Sequence, residues 1–289
     1  MSWRERINIY LELSKVRITL LSTLSMVMAY ILASGGISGG VIVPALAVWL
    51  LACGASAVNQ FQERDLDALM ERTRSRPLPS KRLHPKRALS FGLFSIALGL
   101  LMLYARTGAG VAALGALTVL WYNGVYTPLK RVTAFAAMPG AIVGAIPPMI
   151  GWVAGGGPFV DPRIFAISFF FFIWQVPHFW LLLLNSAKDF ERAGLPSPTK
   201  LFSKSQLMRI TGVWMAATAV ACLFIPLFGI ETPSWINAAL VLAALWLIWK
   251  SSNMLKTREH EFSFKLAFRG VNAYALLVIS LLSLTGFLA

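Results

Sequence analysis

Acidic residues are scarce in this chain: 12 Asp and Glu stand against 26 Lys and Arg in 289 residues, and charged residues of both signs make up only 13%. So little charge excludes an ordinary soluble domain. There are two cysteines, Cys53 and Cys222, and both fall inside apolar runs. That excludes a disulfide framework, and the absence of a Cys-x-x-Cys-His stretch excludes covalent haem attachment. Apolar/polar alternation is missing, which argues against strands. The first apolar run follows a charged segment and ends at Gly35-Gly36 without a cleavage site, so a cleaved signal peptide is not expected. Carboxylates are also missing from the middle of every apolar run.

The chain has hydrophobic surface in abundance, with 57% of its residues apolar and a mean hydropathy of +0.68. About 20 such residues cross a hydrocarbon core, and nine runs are long enough: 17–34, 41–58, 88–105, 108–125, 134–154, 163–184, 209–228, 233–250 and 267–288. Backbone in a bilayer must satisfy its own hydrogen bonds, so these runs predict helices. The expected class is all-α: a polytopic membrane protein forming one domain over residues 1–289. With the N-terminus placed in the cytoplasm, 24 of the 26 basic residues fall in cytoplasmic segments, leaving only Arg106 and Arg163 outside. That bias predicts N-terminus in and C-terminus out. It also explains the net charge of +14 through the lipid bilayer, with no nucleic-acid partner. Two loops on the basic side, 59–87 and 185–208, are too long to be turns, and each opens on polar and acidic residues. They suggest a faint repeat of spans one to four in spans five to eight. Pro139, Pro147, Pro148 and Pro177 fall inside spans, where they kink helices and open space between them.

Asn59, Glu63 and Asp67 recur at steps of four, each turning a helix by only about 40°. One amide oxygen and two carboxylates thus line one face at the end of a span. Asp65 points away. Oxygen ligands of this kind hold Mg²⁺, which takes one or two carboxylates together with a substrate's phosphates. The arginines that follow, Arg72 and Arg76 among them, suit the same phosphates. A solvated helix end with offsetting charges is the plain alternative.

A second cluster runs from Trp174 through Pro177, His178, Phe179 and Trp180, then to Asp189. An ionisable residue as deep as His178 tends to face a bundle interior, although a lone histidine is often just a hydrogen-bonded core residue. If its helix continues to Asp189, three turns on, the two share a face. A third cluster, Tyr126-Thr-Pro-Leu-Lys130-Arg131, ends span four on the basic side, and Lys15 and Arg17 start span one there. Such bases also serve simply as anchors that snorkel to the interface.

These stretches together resemble the UbiA-type intramembrane prenyltransferases. The supporting residues are Tyr10 through Thr19, Asn59 through Pro77, Tyr126 through Arg131, Gly144 through Trp152, Trp174 through Trp180, and Asp189 through Pro196. The Pro147-Pro148 pair, Gly151-Trp152 and Trp174-Gln-Val-Pro-His178-Phe-Trp are similar to the haem-modifying branch in particular. Glu63 replaces the middle aspartate of the usual Asn-xxx-Asp-xxx-Asp, Val16 stands where that branch often has proline, and the second aspartate-rich motif is reduced to Asp189.

The resemblance implies a bundle of nine transmembrane helices around a central cavity, in a bacterial plasma (inner) membrane. It implies transfer of a farnesyl group from farnesyl diphosphate to a vinyl group of haem B, giving haem O. Asn59, Glu63, Asp67 and Asp189 are then expected to hold Mg²⁺, one ion or two. Arg72, Arg76, Lys130, Arg131, Lys15 and Arg17 are expected to meet the diphosphate. His178, Tyr126 and Trp174 are expected on the haem, with His178 ligating the iron or orienting the porphyrin. A handover contact with haem A synthase or another oxidase-assembly factor is left open. Two other readings remain: a quinone-pathway prenyltransferase acting on an aromatic acid, and a secondary transporter, to which broken helices and intramembrane acids are also suited.

Overall fold

The computed structural model describes residues 2–256 and 263–288, without the side chains of Arg17, Leu255 and Lys256. The described chain is helical, with no strand. Its helices are α1 (Trp3–Leu13), α2 (Val16–Ser34), α3 (Ile42–Asp67), α4 (Pro85–Thr107), α5 (Ala109–Leu120), α6 (Thr127–Leu129), α7 (Ala137–Gly140), α8 (Ile142–Ala154), α9 (Pro162–Asn185), α10 (Ala187–Arg192), α11 (Lys204–Leu227), α12 (Ser234–Lys256) and α13 (Phe264–Leu288). Among the described residues, eight helical stretches are long and apolar enough to cross a membrane, and α1 with α2 makes a ninth across a 61° bend. The bend has a local cause. Lys15, between the two helices, sits at φ 48°, ψ 50°, a left-handed conformation that ends a right-handed helix.

Two other spans depart from simple helices. The expected span 134–154 is divided into α7 and α8, and Pro139 lies in α7. The Pro139 carbonyl accepts the Trp121 indole N–H at 2.7 Å, so the break leaves no orphan there. Pro147 and Pro148 lie inside the continuous α8, and Pro177 lies inside α9. Between α5 and α6 the backbone widens into a π-helical turn, Trp121–Tyr126. The Thr127 hydroxyl donates to the Tyr122 carbonyl five residues back, at 2.8 Å.

Two large apolar cores result, beside smaller clusters around Leu13 and Trp180. One gathers α9, α11, α12 and α13 around Phe170, Met215, Leu240 and Val278. The other gathers α3, α4 and α5 around Leu51, Leu103 and Val111. α2 and α8 belong to both: Met28 and Trp152 face the first core, Met26 and Ile150 the second. Lipid tails are as apolar as leucine, so close contact rather than water exclusion holds such helices together. α8 reaches α2 through Gly151, where a Cβ would overlap the Met26 carbonyl.

At the N-terminus of α9, Asp161 caps the helix by accepting the Arg163 backbone N–H at 2.8 Å and the Arg163 guanidinium at 2.6 Å. These bonds hold its carboxyl below the usual range. Gly151→Ala should destabilise the protein by about 1–3 kcal/mol, the usual range for overpacking. Thermal unfolding in detergent should show a lowered midpoint. An unchanged midpoint would mean that α2 and α8 can separate at no cost.

Candidate active site

α3 runs without a break to Asp67, so Asn59, Glu63 and Asp67 form one stripe at its end. Asn59 and Asp67 are almost fully buried, at 1% and 3% exposure. The side chain of Asp65 is 85% exposed and lies off the stripe. The Asn59 amide donates to Glu63 Oε2 at 2.9 Å and to Thr127 Oγ1 at 3.0 Å. Its Oδ1 accepts Lys15 Nζ at 3.2 Å. The Lys15 bend therefore turns that ammonium towards the stripe.

Each acid on the stripe also has a base of its own. Lys130 Nζ lies 2.6 Å from Glu63 Oε1, with the two side chains 18% and 13% exposed. Arg76 Nη1 donates to both oxygens of Asp67, at 2.9 and 2.8 Å. The Thr73 hydroxyl caps the Asp67 carbonyl at 2.9 Å, folding the loop after α3 back over its end. Four segments thus converge at one end of the bundle: the start of α2, the end of α3 with its loop, α6, and α10.

Arg131 is not brought in. It is exposed and donates to the Gln62 carbonyl at 2.6 Å. Arg72 is exposed on the same loop as Arg76, yet it feels the charges of Arg76, Asp67, Asp189 and Glu63; the side chain of Arg17 lies outside the described residues. Asp189 takes a different place from the one the sequence suggests. α9 ends at Asn185, and Ser186 (φ −121°, ψ 21°) separates it from α10. The helix from His178 therefore does not continue, and the shared face is lost. Both Asp189 oxygens accept backbone N–H groups, from Glu71 at 3.0 Å and Arg72 at 3.1 Å. Among the described residues, no three Asp, Glu, His or Cys side chains gather as a metal-binding group.

An aromatic path leads inward from the charged end. Lys130 Nζ lies 4.9 Å from the centre of the Tyr126 ring, Tyr126 stacks on Phe179 at 5.0 Å and 7°, and Phe179 touches His178. The His178 ring also packs on Trp174 at 4.9 Å and Phe268 at 5.1 Å. His178 Nδ1 is 2.7 Å from Asn272 Oδ1. The Asn272 amide nitrogen is committed to the Phe268 carbonyl at 2.7 Å, so its oxygen faces the ring. Nδ1 then carries the proton, and Nε2 keeps a lone pair. The Trp174 indole N–H donates to the Val271 carbonyl at 3.1 Å and the residue is buried. Its ring therefore backs His178 from the α13 side.

Thr127, Asn123, Gln62 and Asn272 were not singled out in the sequence. Gln62 Nε2 donates to the Asn123 carbonyl at 3.0 Å, and Asn123 Nδ2 to the Ala55 carbonyl at 3.0 Å; these bonds pin the π turn to α3. Asn272 had a signal: it is a lone amide within an apolar run, where polar groups are costly.

The comparisons agree with this geometry. The UbiA prenyltransferase family matches residues 20–284. A protoheme IX farnesyltransferase of Oleidesulfovibrio alaskensis is 35% identical over 271 residues, 94% of each chain. That of Geobacter sulfurreducens is 42% identical over 231 residues, covering 79% of this chain and 85% of its own. A solved structure of digeranylgeranylglyceryl phosphate synthase superposes with a TM-score of 0.77 at 14% identity, covering 99% of this chain and 100% of that one. A UbiA homolog from Archaeoglobus fulgidus bound to GPP and Mg²⁺ superposes at 0.69 and 17% identity, covering 97% and 100%. These two share the fold. A buried oxygen stripe facing bases at the end of an apolar bundle is what a membrane prenyl diphosphate calls for, and with a family match over nearly its whole length this chain belongs to the UbiA prenyltransferases.

Proposed function

We propose that this protein transfers a farnesyl group from farnesyl diphosphate to a vinyl group of haem B, giving haem O. One observation carries the reading: the acid–base stripe at the bundle end is joined by stacked rings to a histidine whose Nε2 is free to meet iron. The relatives named for this reaction match over most of their length.

The donor set of the stripe fits Mg²⁺, because an amide and two carboxylates are hard oxygen ligands and a prenyl diphosphate supplies the rest. Asn59, Glu63 and Asp67 would hold the ion, which supplies charge neutralisation to the departing diphosphate. Arg76 and Lys130, with Lys15 beside them, stabilise the negative charge that grows as the allylic C–O bond breaks. The Tyr126 and Phe179 rings offer their faces to the cationic carbon. The vinyl group's terminal carbon forms the new C–C bond. The positive charge left next to the porphyrin takes up water and loses a proton. Neutral His178 offers Nε2 to the haem iron, a usual axial ligand, while Asn272 fixes its tautomer.

Without substrate, Glu63 and Asp67 are neutralised by Lys130 and Arg76. Buried acids left alone would cost about 3–5 kcal/mol each. The bases can turn to a diphosphate only as a cation replaces them on the acids, so the two ligands should strengthen each other's binding. The basic end faces the cytoplasm in this reading, with the N-terminus inside.

The direct test supplies purified protein with haem B, farnesyl diphosphate and Mg²⁺. Mass spectrometry should find porphyrin heavier by one farnesyl group and one hydroxyl; unaltered haem beside a prenylated aromatic acid would favour the quinone reading. Asp67→Asn should lower turnover at least about 100-fold at any Mg²⁺ level, with helicity checked by circular dichroism. Near-wild-type rates would remove Asp67 from the site. His178→Ala should weaken haem binding and leave diphosphate binding in place, and Asn272→Ala should do so by about 10-fold, as for other orienting partners. Equal loss of both ligands would assign His178 to folding.

A further inference from the structure

We infer that Asp189 is a positioning residue that fastens the arginine-bearing loop over the active site. This rests on the reading above only in taking the loop's arginines to meet the diphosphate.

The contact joins segments far apart in sequence. Asp189 belongs to α10, which follows α9, while Glu71 and Arg72 follow α3. Two consecutive backbone N–H groups meet the two oxygens of one carboxylate. Hydrogen bonds to an ionised acceptor are about twice as strong as neutral ones. Asp189 is only 9% exposed, so water competes weakly for its oxygens. The other acid on α10, Glu191, is engaged elsewhere and accepts the Thr199 hydroxyl at 3.0 Å.

Among the described residues, the loop's side chains make two hydrogen-bonded ties to the stripe, and both run to Asp67: the Thr73 hydroxyl to the carbonyl and Arg76 to the carboxylate. When Arg76 turns to the diphosphate, the second tie opens. Asp189 is then the anchor that keeps residues 71–76 in place while Arg76 changes partner. It lies in sequence where a second metal-binding acid is expected, and here its two oxygens face backbone amides.

Hydrogen–deuterium exchange of the full-length protein, followed by mass spectrometry of peptides covering residues 70–76, tests this without activity. In the wild type, with a chelator and no metal, the amides of residues 71 and 72 should exchange slowly. Asp189→Asn should speed them at least about tenfold, because one side of the asparagine amide can only donate. In turnover, the same variant should raise the KM for farnesyl diphosphate about tenfold and leave the half-saturating Mg²⁺ concentration unchanged. Fast exchange in the wild type would overturn the proposal. So would a variant with wild-type exchange but a raised Mg²⁺ requirement, the mark of a metal ligand. Failure of the wild type to farnesylate haem would sink the proposed function, yet the exchange measurement would still decide the role of Asp189.

Discussion

Everything at the functional end of this protein depends on two acids neutralised by two bases where little water reaches. Glu63 with Lys130 and Asp67 with Arg76 bring together chain segments that apolar packing alone would leave uncoordinated. α3 supplies both acids. The bases come from the residue that ends α6 and from the loop after α3, so each pair is also a fold constraint. Ion pairs between exposed groups contribute little. Partly buried ones matter because the partner left behind would be unsolvated. That same demand for compensation makes the site receptive to a ligand of mixed charge: a cation bound to a diphosphate satisfies all four side chains at once.

The histidine region obeys a different rule. His178 is surrounded by rings and has one amide partner, with no carboxylate among its hydrogen bonds. Neutrality is favoured there, and a neutral imidazole can ligate a metal through the nitrogen that lacks a proton. The charged pairs and the ring-lined histidine thus form separate regions, linked by Tyr126 and Phe179. A substrate pair with a polar head, a greasy tail and a large macrocycle matches that division.

Much of this was legible in the sequence, for identifiable reasons. Nine apolar runs, a one-sided distribution of bases and the four-residue spacing of Asn59, Glu63 and Asp67 depend only on helix geometry and bilayer thickness. The stripe forms because α3 is continuous to Asp67. Inference failed where continuity failed. Asp189 seemed to share a face with His178, but α9 stops at Asn185. Lys130 and Arg131 looked equivalent as neighbours, yet one meets Glu63 and the other a backbone carbonyl on the far side. Asn272, 94 residues from its histidine, could be noticed as an oddity but not assigned a partner.

The choice between Lys130 and Arg131 is made upstream, in the widened turn at Trp121–Tyr126. An ordinary helix advances about 100° per residue, so the extra residue accommodated there sets the angular phase of everything after it. Losing one residue from this stretch would rotate the lysine off its glutamate and present a neighbour instead, even with every functional side chain still encoded. This segment should therefore tolerate changes of residue type far better than changes of residue count.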